Sequence, residues 1–150
     1  MTGAIDTIDL PELVAIGIPV DALWSDLPVE MPKAWHRLFE FDTGATSFLG
    51  ISLEREFDMY HEFVGYLAAR TTDIPDGLVR IVIPSRRYLR LIHDGPLDTI
   101  AAGFERLYHS AAVQGLRATD FKLDFGYAPG LPPGRHELHV AIANPRGLLG

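Results

Sequence analysis

The segment Met59-Tyr60-His61-Glu62-Phe63-Val64-Gly65-Tyr66 holds the carboxylate best placed to do chemistry. Side chains alternate along a strand, so Tyr60, Glu62, Val64 and Tyr66 share one face. A carboxylate flanked by tyrosines can face a cation, its charge held by hydroxyl hydrogen bonds and the cation by ring faces. Withdrawn from water, its pKa would rise and it could serve as a general acid or base. The same alternation also describes the solvated side of a sheet, and both readings stand at this point.

Other aromatic residues have similar double meanings. Trp35 falls at helical spacing with Leu38 and Phe39, as a core residue or as a pocket wall. Tyr108 carries a hydroxyl that needs a partner or solvent, which suits the mouth of a pocket. Trp24, in the loop-like stretch Asp21-Ala22-Leu23-Trp24-Ser25-Asp26-Leu27-Pro28, reads as a lid or as the cap of a core edge. The remaining signals argue against other chemistries. Cysteine is absent, which removes disulfides, thiol nucleophiles and thiolate metal ligands. Of the six histidines, His136 and His139 are three apart on a strand and face opposite ways, and no His-Glu-x-x-His occurs, so no metal or other cofactor is expected. Gly-x-Ser-x-Gly is missing, the glycines form no phosphate-binding fingerprint, and Asp42-Thr43-Gly44 is a chance spelling without a second copy.

The chain has 150 residues, 47% of them hydrophobic and 22% charged, which suits a single domain over 1–150. The net charge of -7 argues against direct nucleic-acid binding, which needs a basic face. The local cluster Arg80, Arg86, Arg87 and Arg90 reads as a solvated strand and turn. The N-terminus lacks the basic start of a signal peptide, and no window approaches the roughly 18 apolar residues of a membrane span. A cytoplasmic protein without a membrane partner is the expectation.

The elements that must position these residues follow from periodicity. Leu13–Val20 reads as a strand ending at Pro19-Val20. Pro32 marks a helix start, with Trp35, Leu38 and Phe39 on its buried face. Phe48–Leu53 is a second strand, Leu-Glu-Arg-Glu-Phe over 53–57 a turn, and Phe57–Ala68 a third strand. A linker over 70–77 leads to the apolar stretch 78–83 and a strand over 88–93. Leu97, Ile100, Ala101, Phe104, Leu107, Tyr108 and Ala111 then keep helical spacing between Pro96 and Gly115. Two strands close the pattern. One carries Phe121, Leu123, Phe125 and Tyr127 on a face, the other Leu138, Val140 and Ile142, with a loop over 128–135 between them. The tail from Ala143 reads as frayed. The order is thus strand-helix-strand-strand, stated twice, with module one over about 10–68 and module two over about 78–143. The groove between modules is the natural place for a ligand.

In this order and spacing the chain resembles the GyrI-like small-molecule-binding domain, also called the AraC-type effector-binding domain. Pro32-Lys33-Ala34-Trp35 with Leu38 and Phe39 resembles its first helix. Ile83-Pro84-Ser85-Arg86-Arg87-Tyr88 and His93-Asp94-Gly95-Pro96 resemble its central stretch, and Phe104 to Tyr108 its aromatic second helix. The resemblance spans about Leu10 to Ala143. It implies an α+β fold of two modules related by a pseudo-twofold, with an antiparallel sheet, two main helices and a ligand groove between the modules. It further implies binding of an aromatic or cationic, drug-like or toxin-like molecule by Trp35, Phe39, Tyr60, Glu62, Tyr66, Phe104, Tyr108, Asp124 and Tyr127. Other members are hydrolases of cyclopropane-bearing natural products, in which reading Glu62 is the catalytic acid/base, or a gyrase inhibitor, in which reading gyrase is the partner. No helix-turn-helix segment precedes the domain, so the chain alone is not expected to be a transcription factor. One departure concerns the family's acid, two residues before the tyrosine of the penultimate strand. Here that position is Phe125, and Asp124 stands three before Tyr127. Two and three residues back face opposite ways on a regular strand. A bulge at Gly126 would bring Asp124 back to the tyrosine's side.

Overall fold

The computed structural model describes residues 3–143, and the tail expected to fray lies outside them beyond Ala143. Eight strands form one antiparallel sheet: β1 Ile5–Leu10, β2 Leu13–Leu23, β3 Phe48–Glu56, β4 Met59–Ala68, β5 Val79–Ile83, β6 Arg86–Gly95, β7 Ala118–Tyr127 and β8 Gly134–Ile142. Helix α1, Leu27–Phe39, joins β2 to β3, and α2, Ile100–Gln114, joins β6 to β7. The strand order β1-β6-β8-β7-β3-β4-β2-β5 is its own mirror under a pseudo-twofold between β7 and β3. Each strand-helix-strand-strand unit contributes three neighbouring strands. Each leading strand, β1 or β5, crosses over to pair with the first strand of the other unit.

Connection lengths force the sheet to curl. In a flat sheet β5 and β6 would stand six strand spacings apart, roughly 29 Å at about 4.8 Å each. Only Pro84 and Ser85 separate them, a reach of about 11 Å. The same holds for β1 and β2, joined by Pro11 and Glu12. The ends of the sheet therefore bend towards each other. The concave side closes on a core of Ala15, Leu49, Ile51, Phe63, Ile83, Tyr88, Leu123 and Ala141, with Ile8 and Leu10 packed against it, so all eight strands contribute. The two helices cover the convex side. Trp35, Leu38 and Ala34 of α1 pack on Ile16, Ile18, Val64 and Tyr66, while Ile100, Leu107 and Ala111 of α2 pack on Leu89, Leu91, Leu138 and Val140. Both faces of the sheet are thus occupied.

Local differences from the sequence expectation have physical causes. Helix α1 begins earlier, because a 3-10 turn over Trp24–Asp26 leads straight into it and Pro28 occupies the first turn, where its missing N–H costs nothing. Pro32 lies inside the helix rather than at its start. On α2, Gly103 is buried and Ala101 exposed. A Cβ at Gly103 would stand 2.5 Å from Leu138 Cδ1, so the glycine lets α2 lie close to the sheet. Residues 53–56 are not a turn: β3 runs through Glu56, with a register shift between Ser52 and Arg55. The turn falls at Phe57, which has φ 53 and is 97% exposed, and β4 starts at Met59. Strand β1 had no sequence expectation at all. Its acids absorb the arginine cluster, with Arg87 on Asp9 and Arg90 on Asp6. Arg86 lies over the Phe121 ring. Among the described residues no helix is long and apolar enough to cross a membrane.

Gly126 decides the course of β7. Phe48 pairs with Tyr127 while Leu49 pairs with Phe125, which leaves Gly126 as an extra residue with φ +123. Tyr127 therefore leaves the concave face of Phe125 and joins Asp124 on the helix side. A Cβ at Gly126 would meet the Arg135 carbonyl oxygen at 2.4 Å. Gly126→Ala is accordingly expected to cost about 2 kcal/mol or more, since it adds a backbone clash to a conformation that side chains rarely adopt. Urea denaturation measures the loss.

Candidate functional site

The convex face between α1 and α2 is not filled. Its floor is made by the outer ends of the central strands β4, β3 and β7, where in-register pairing puts Glu62, Ser52 and Lys122 side by side. The walls are Trp24 and Leu27 at the start of α1, Tyr60, His61 and Arg55 on the β3–β4 hairpin, and Tyr108 of α2 with Asp120. These residues enclose a solvent-open cleft of about 260 Å³.

Glu62 is half-buried in this cleft, and Ser52 Oγ donates to its Oε1 at 2.8 Å. Burial raises its pKa above the ordinary glutamate value, against the Ser52 hydrogen bond and the positive charge of Lys122. Beside it, the Tyr60 hydroxyl accepts from Arg55 Nη1 at 3.0 Å, and the Tyr60 ring lies 5.2 Å from Trp24. Trp24 is 67% exposed, an unusual placement for the largest apolar side chain. Opposite, the Tyr108 hydroxyl donates to the Thr119 carbonyl at 2.7 Å, and burial pushes its pKa up to about 12, so it stays neutral. His61 bridges Asp21 at 2.6 Å and Glu56 at 3.0 Å at the rim, and the Asp21 carboxylate holds its pKa above the usual imidazole value.

The residues singled out in the sequence divide between this cleft and the cores. Glu62, Tyr60 and Tyr108 line the cleft. Phe104 packs into the α2 core, with Lys122 Nζ 6.0 Å from its ring centre. Trp35, Phe39, Tyr66 and Tyr127 instead belong to the core beneath α1, where Trp35 stacks on Tyr127 at 4.2 Å and on Phe39 at 5.4 Å. Asp124 is 5% exposed and sits beneath them. It accepts from the Tyr127 hydroxyl at 2.6 Å and contacts His136 Nδ1 at 2.8 Å. Burial raises its pKa, and both hydrogen bonds oppose the rise. The bulge at Gly126 makes this contact between Asp124 and Tyr127 geometrically available. His139, on the concave side, packs edge-on to Tyr88 and Phe125, and burial lowers its pKa to about 4. Among the described residues no group of three or more His, Asp or Glu is arranged to hold a metal ion.

Sequence reasoning did not select Ser52, Arg55, Asp120 or Lys122 as site residues, and it weighed Trp24 without selecting it. A signal for Lys122 exists: it has the same strand parity as Asp124, opposite to Phe121, Leu123 and Phe125. It becomes meaningful only once helices are known to cover that side.

No family model and no curated protein matches the sequence. Solved structures do match in three dimensions. The chain of EcmrR solved in complex with DNA superposes with a TM-score of 0.65 at 15% identity, over 93% of this chain and 57% of that one. SAV2435 bound to tetraphenylphosphonium superposes with a TM-score of 0.71 at 12% identity, over 95% of each chain. These structures share the fold of this chain, the fold that the resemblance to the GyrI-like domains implied. A hydrolase from Listeria innocua shares it as well, with a TM-score of 0.61 at 12% identity over 93% of this chain and 91% of that one. This chain spans little more than half of the DNA-bound EcmrR chain. In the GyrI-like frame, the cleft described above lies between the helices of the two units, across the pseudo-twofold.

Proposed function

We propose that this GyrI-like domain binds a small aromatic cation in the interhelical cleft, with Glu62 as its counter-charge. One observation carries the reading: a partly desolvated carboxylate, held among the described residues by a single serine hydroxyl, lies in an open cleft between the exposed Trp24, with its neighbour Tyr60, and Tyr108. A carboxylate withdrawn from water destabilises the fold unless it is compensated, and an arriving cation supplies the compensation. Ring faces on both sides add cation–π and stacking attraction. That SAV2435 was solved with tetraphenylphosphonium bound supports a ligand of this class.

Tryptophan emission provides the test, because Trp24 stands at the cleft and Trp35 is 3% exposed in the α1 core. Titration with tetraphenylphosphonium is expected to quench emission with a Kd of about micromolar, near -8 kcal/mol. Trp24→Phe should abolish most of the response, while Trp35→Phe should retain it. An unchanged response in Trp24→Phe would place the ligand elsewhere.

A hydrolytic reading has an observation of its own. A glutamate with a raised pKa in a cleft is better suited to giving and taking a proton than an ordinary one, and a hydrolase has the same fold. Under that reading Glu62→Gln abolishes turnover of a cyclopropane-bearing electrophile while an uncharged substrate still binds. Turnover surviving in the variant would remove Glu62 from the mechanism. No observation among the described residues points to a gyrase-binding surface.

A further inference from the structure

Lys122 is the cleft residue that simple cation binding does not use. On the sheet, Ser52 is the register partner of Glu62 on one side and of Lys122 on the other. The acid and the base therefore stand two strand spacings apart, roughly 10 Å between backbones. Ser52 turns its hydroxyl to Glu62 and leaves Lys122 to the cleft. Lys122 is half-buried, and its Nζ has one hydrogen bond among the described residues, a long one of 3.4 Å to the Asp120 carbonyl. It lies 5.7 Å from the Tyr108 ring centre and 6.0 Å from that of Phe104.

Two cations of the sheet, Arg87 and Arg90, are each paired with a carboxylate at 2.8 Å, and the half-buried Arg86 lies over the Phe121 ring at 4.7 Å. Lys122 is a half-buried ammonium that, among the described residues, has no carboxylate within ion-pair distance, and it lines an open cleft. Glu62 is near enough for the charge of Lys122 to lower its pKa, but the two form no ion pair. Each is partly desolvated and neither neutralises the other.

We infer that the cleft selects an aromatic zwitterion, whose cationic group faces Glu62 and whose carboxylate or similar anionic group faces Lys122. The inference rests on the binding reading above and narrows it. The aromatic body lies between the Trp24–Tyr60 wall and Tyr108, and Arg55, at the rim, is a second donor for the anion. A ligand carrying only a cation would bring like charge towards Lys122 and leave its ammonium desolvated without a partner, so the same residue both attracts the zwitterion and disfavours the simple cation.

A matched pair of dyes tests this on the full chain. Rhodamine B carries a free carboxylate beside its cationic xanthene, and its ethyl ester carries the cation alone. Fluorescence anisotropy is expected to show the acid bound more tightly than the ester by about fivefold or more, as for one charge-assisted contact in a partly exposed site. Lys122→Met should erase the preference by weakening the acid, and Lys122→Arg should restore it. Glu62→Gln should weaken both dyes. Equal or tighter binding of the ester by the unmodified protein, with both dyes still dependent on Glu62, would overturn the zwitterion inference and leave the cation reading standing. So would a preference that survives in Lys122→Met, or binding of tetraphenylphosphonium without either rhodamine. Failure of all three ligands to bind would overturn the binding reading itself.

Discussion

Glu62→Gln is expected to make the protein more stable and a poorer binder at once. The amide keeps an oxygen that can accept the Ser52 hydrogen bond but does not carry the charge that burial penalises. Because the cleft is open to water, the gain is limited to about 1 kcal/mol at neutral pH. In a chain of this length that corresponds to about 2–4 °C in Tm. The pH dependence has a defined sign. The folded-state pKa of Glu62 is raised, so the folded protein holds this proton more tightly than the unfolded chain does. The wild type therefore recovers stability as pH falls below the raised folded pKa, and the advantage of the glutamine variant is full above that pKa and gone below the ordinary glutamate pKa of the unfolded chain. Melting curves of the two proteins should converge on acidification and separate towards neutrality. Binding of tetraphenylphosphonium, which has no proton to lose, should weaken about tenfold or more in the variant, about 1.4 kcal/mol. In the wild type it should fade on acidification at a higher pH than an ordinary glutamate would impose. A variant that loses stability at neutral pH would show that Glu62 is a structural residue rather than a strained functional one.

Asp124→Ala is expected to do the reverse. Asp124 is buried beneath Trp35 and Tyr127 and serves two donors, the Tyr127 hydroxyl and His136 Nδ1. Truncation leaves both without a partner and opens a void beneath α1. Removing one member of a buried, hydrogen-bonded pair typically costs about 3–5 kcal/mol. Asp124→Asn retains an acceptor and is expected to lose only about 1–2 kcal/mol. Neither change touches the cleft. Where the asparagine variant remains folded, its affinity for tetraphenylphosphonium should match the wild type, as measured by the same fluorescence titration. Weakened binding in a folded Asp124→Asn protein would show that the cleft and the buried network are coupled. The two substitutions are thus expected to separate the carboxylates: Asp124 variants change stability without changing affinity, and Glu62→Gln changes affinity while raising stability.

The resemblance placed an acid near Tyr127, and alternation along the third strand picked out Glu62. Choosing between them required a coordinate that neither pattern contains. Gly126 adds one residue to β7 and turns Tyr127 towards Asp124, so that acid is consumed by hydrogen bonds within the core. Glu62 has one side-chain donor and faces open space. Likewise, Trp35, Tyr60, Tyr66, Tyr108 and Tyr127 were expected to converge. They separate because the helix-side residues of β4 run from beneath α1, at Tyr66 and Val64, out into the cleft, at Glu62 and Tyr60. Position along the strand, not the face alone, decides which side chain meets a ligand.

The sequence by itself determined the strand-helix-strand-strand pattern and its repetition, because a helical face and a strand face are set by local periodicities that any packing must respect. It also determined that Tyr60, Glu62, Val64 and Tyr66 share a side, since the pleat leaves no alternative. Only the tertiary structure decided what lies on that side. Two-residue connections at Pro11-Glu12 and Pro84-Ser85 curl the sheet until its other face closes on its own core, which leaves the polar alternation of β4 and β7 beneath the helices instead of in solvent. Ser52 and Glu62 meet across the β3–β4 hairpin, and Lys122 is brought beside Ser52 by the register between β3 and β7, strands distant in sequence. No local pattern encodes that register. It follows from where the helices and the bulge allow the strands to meet.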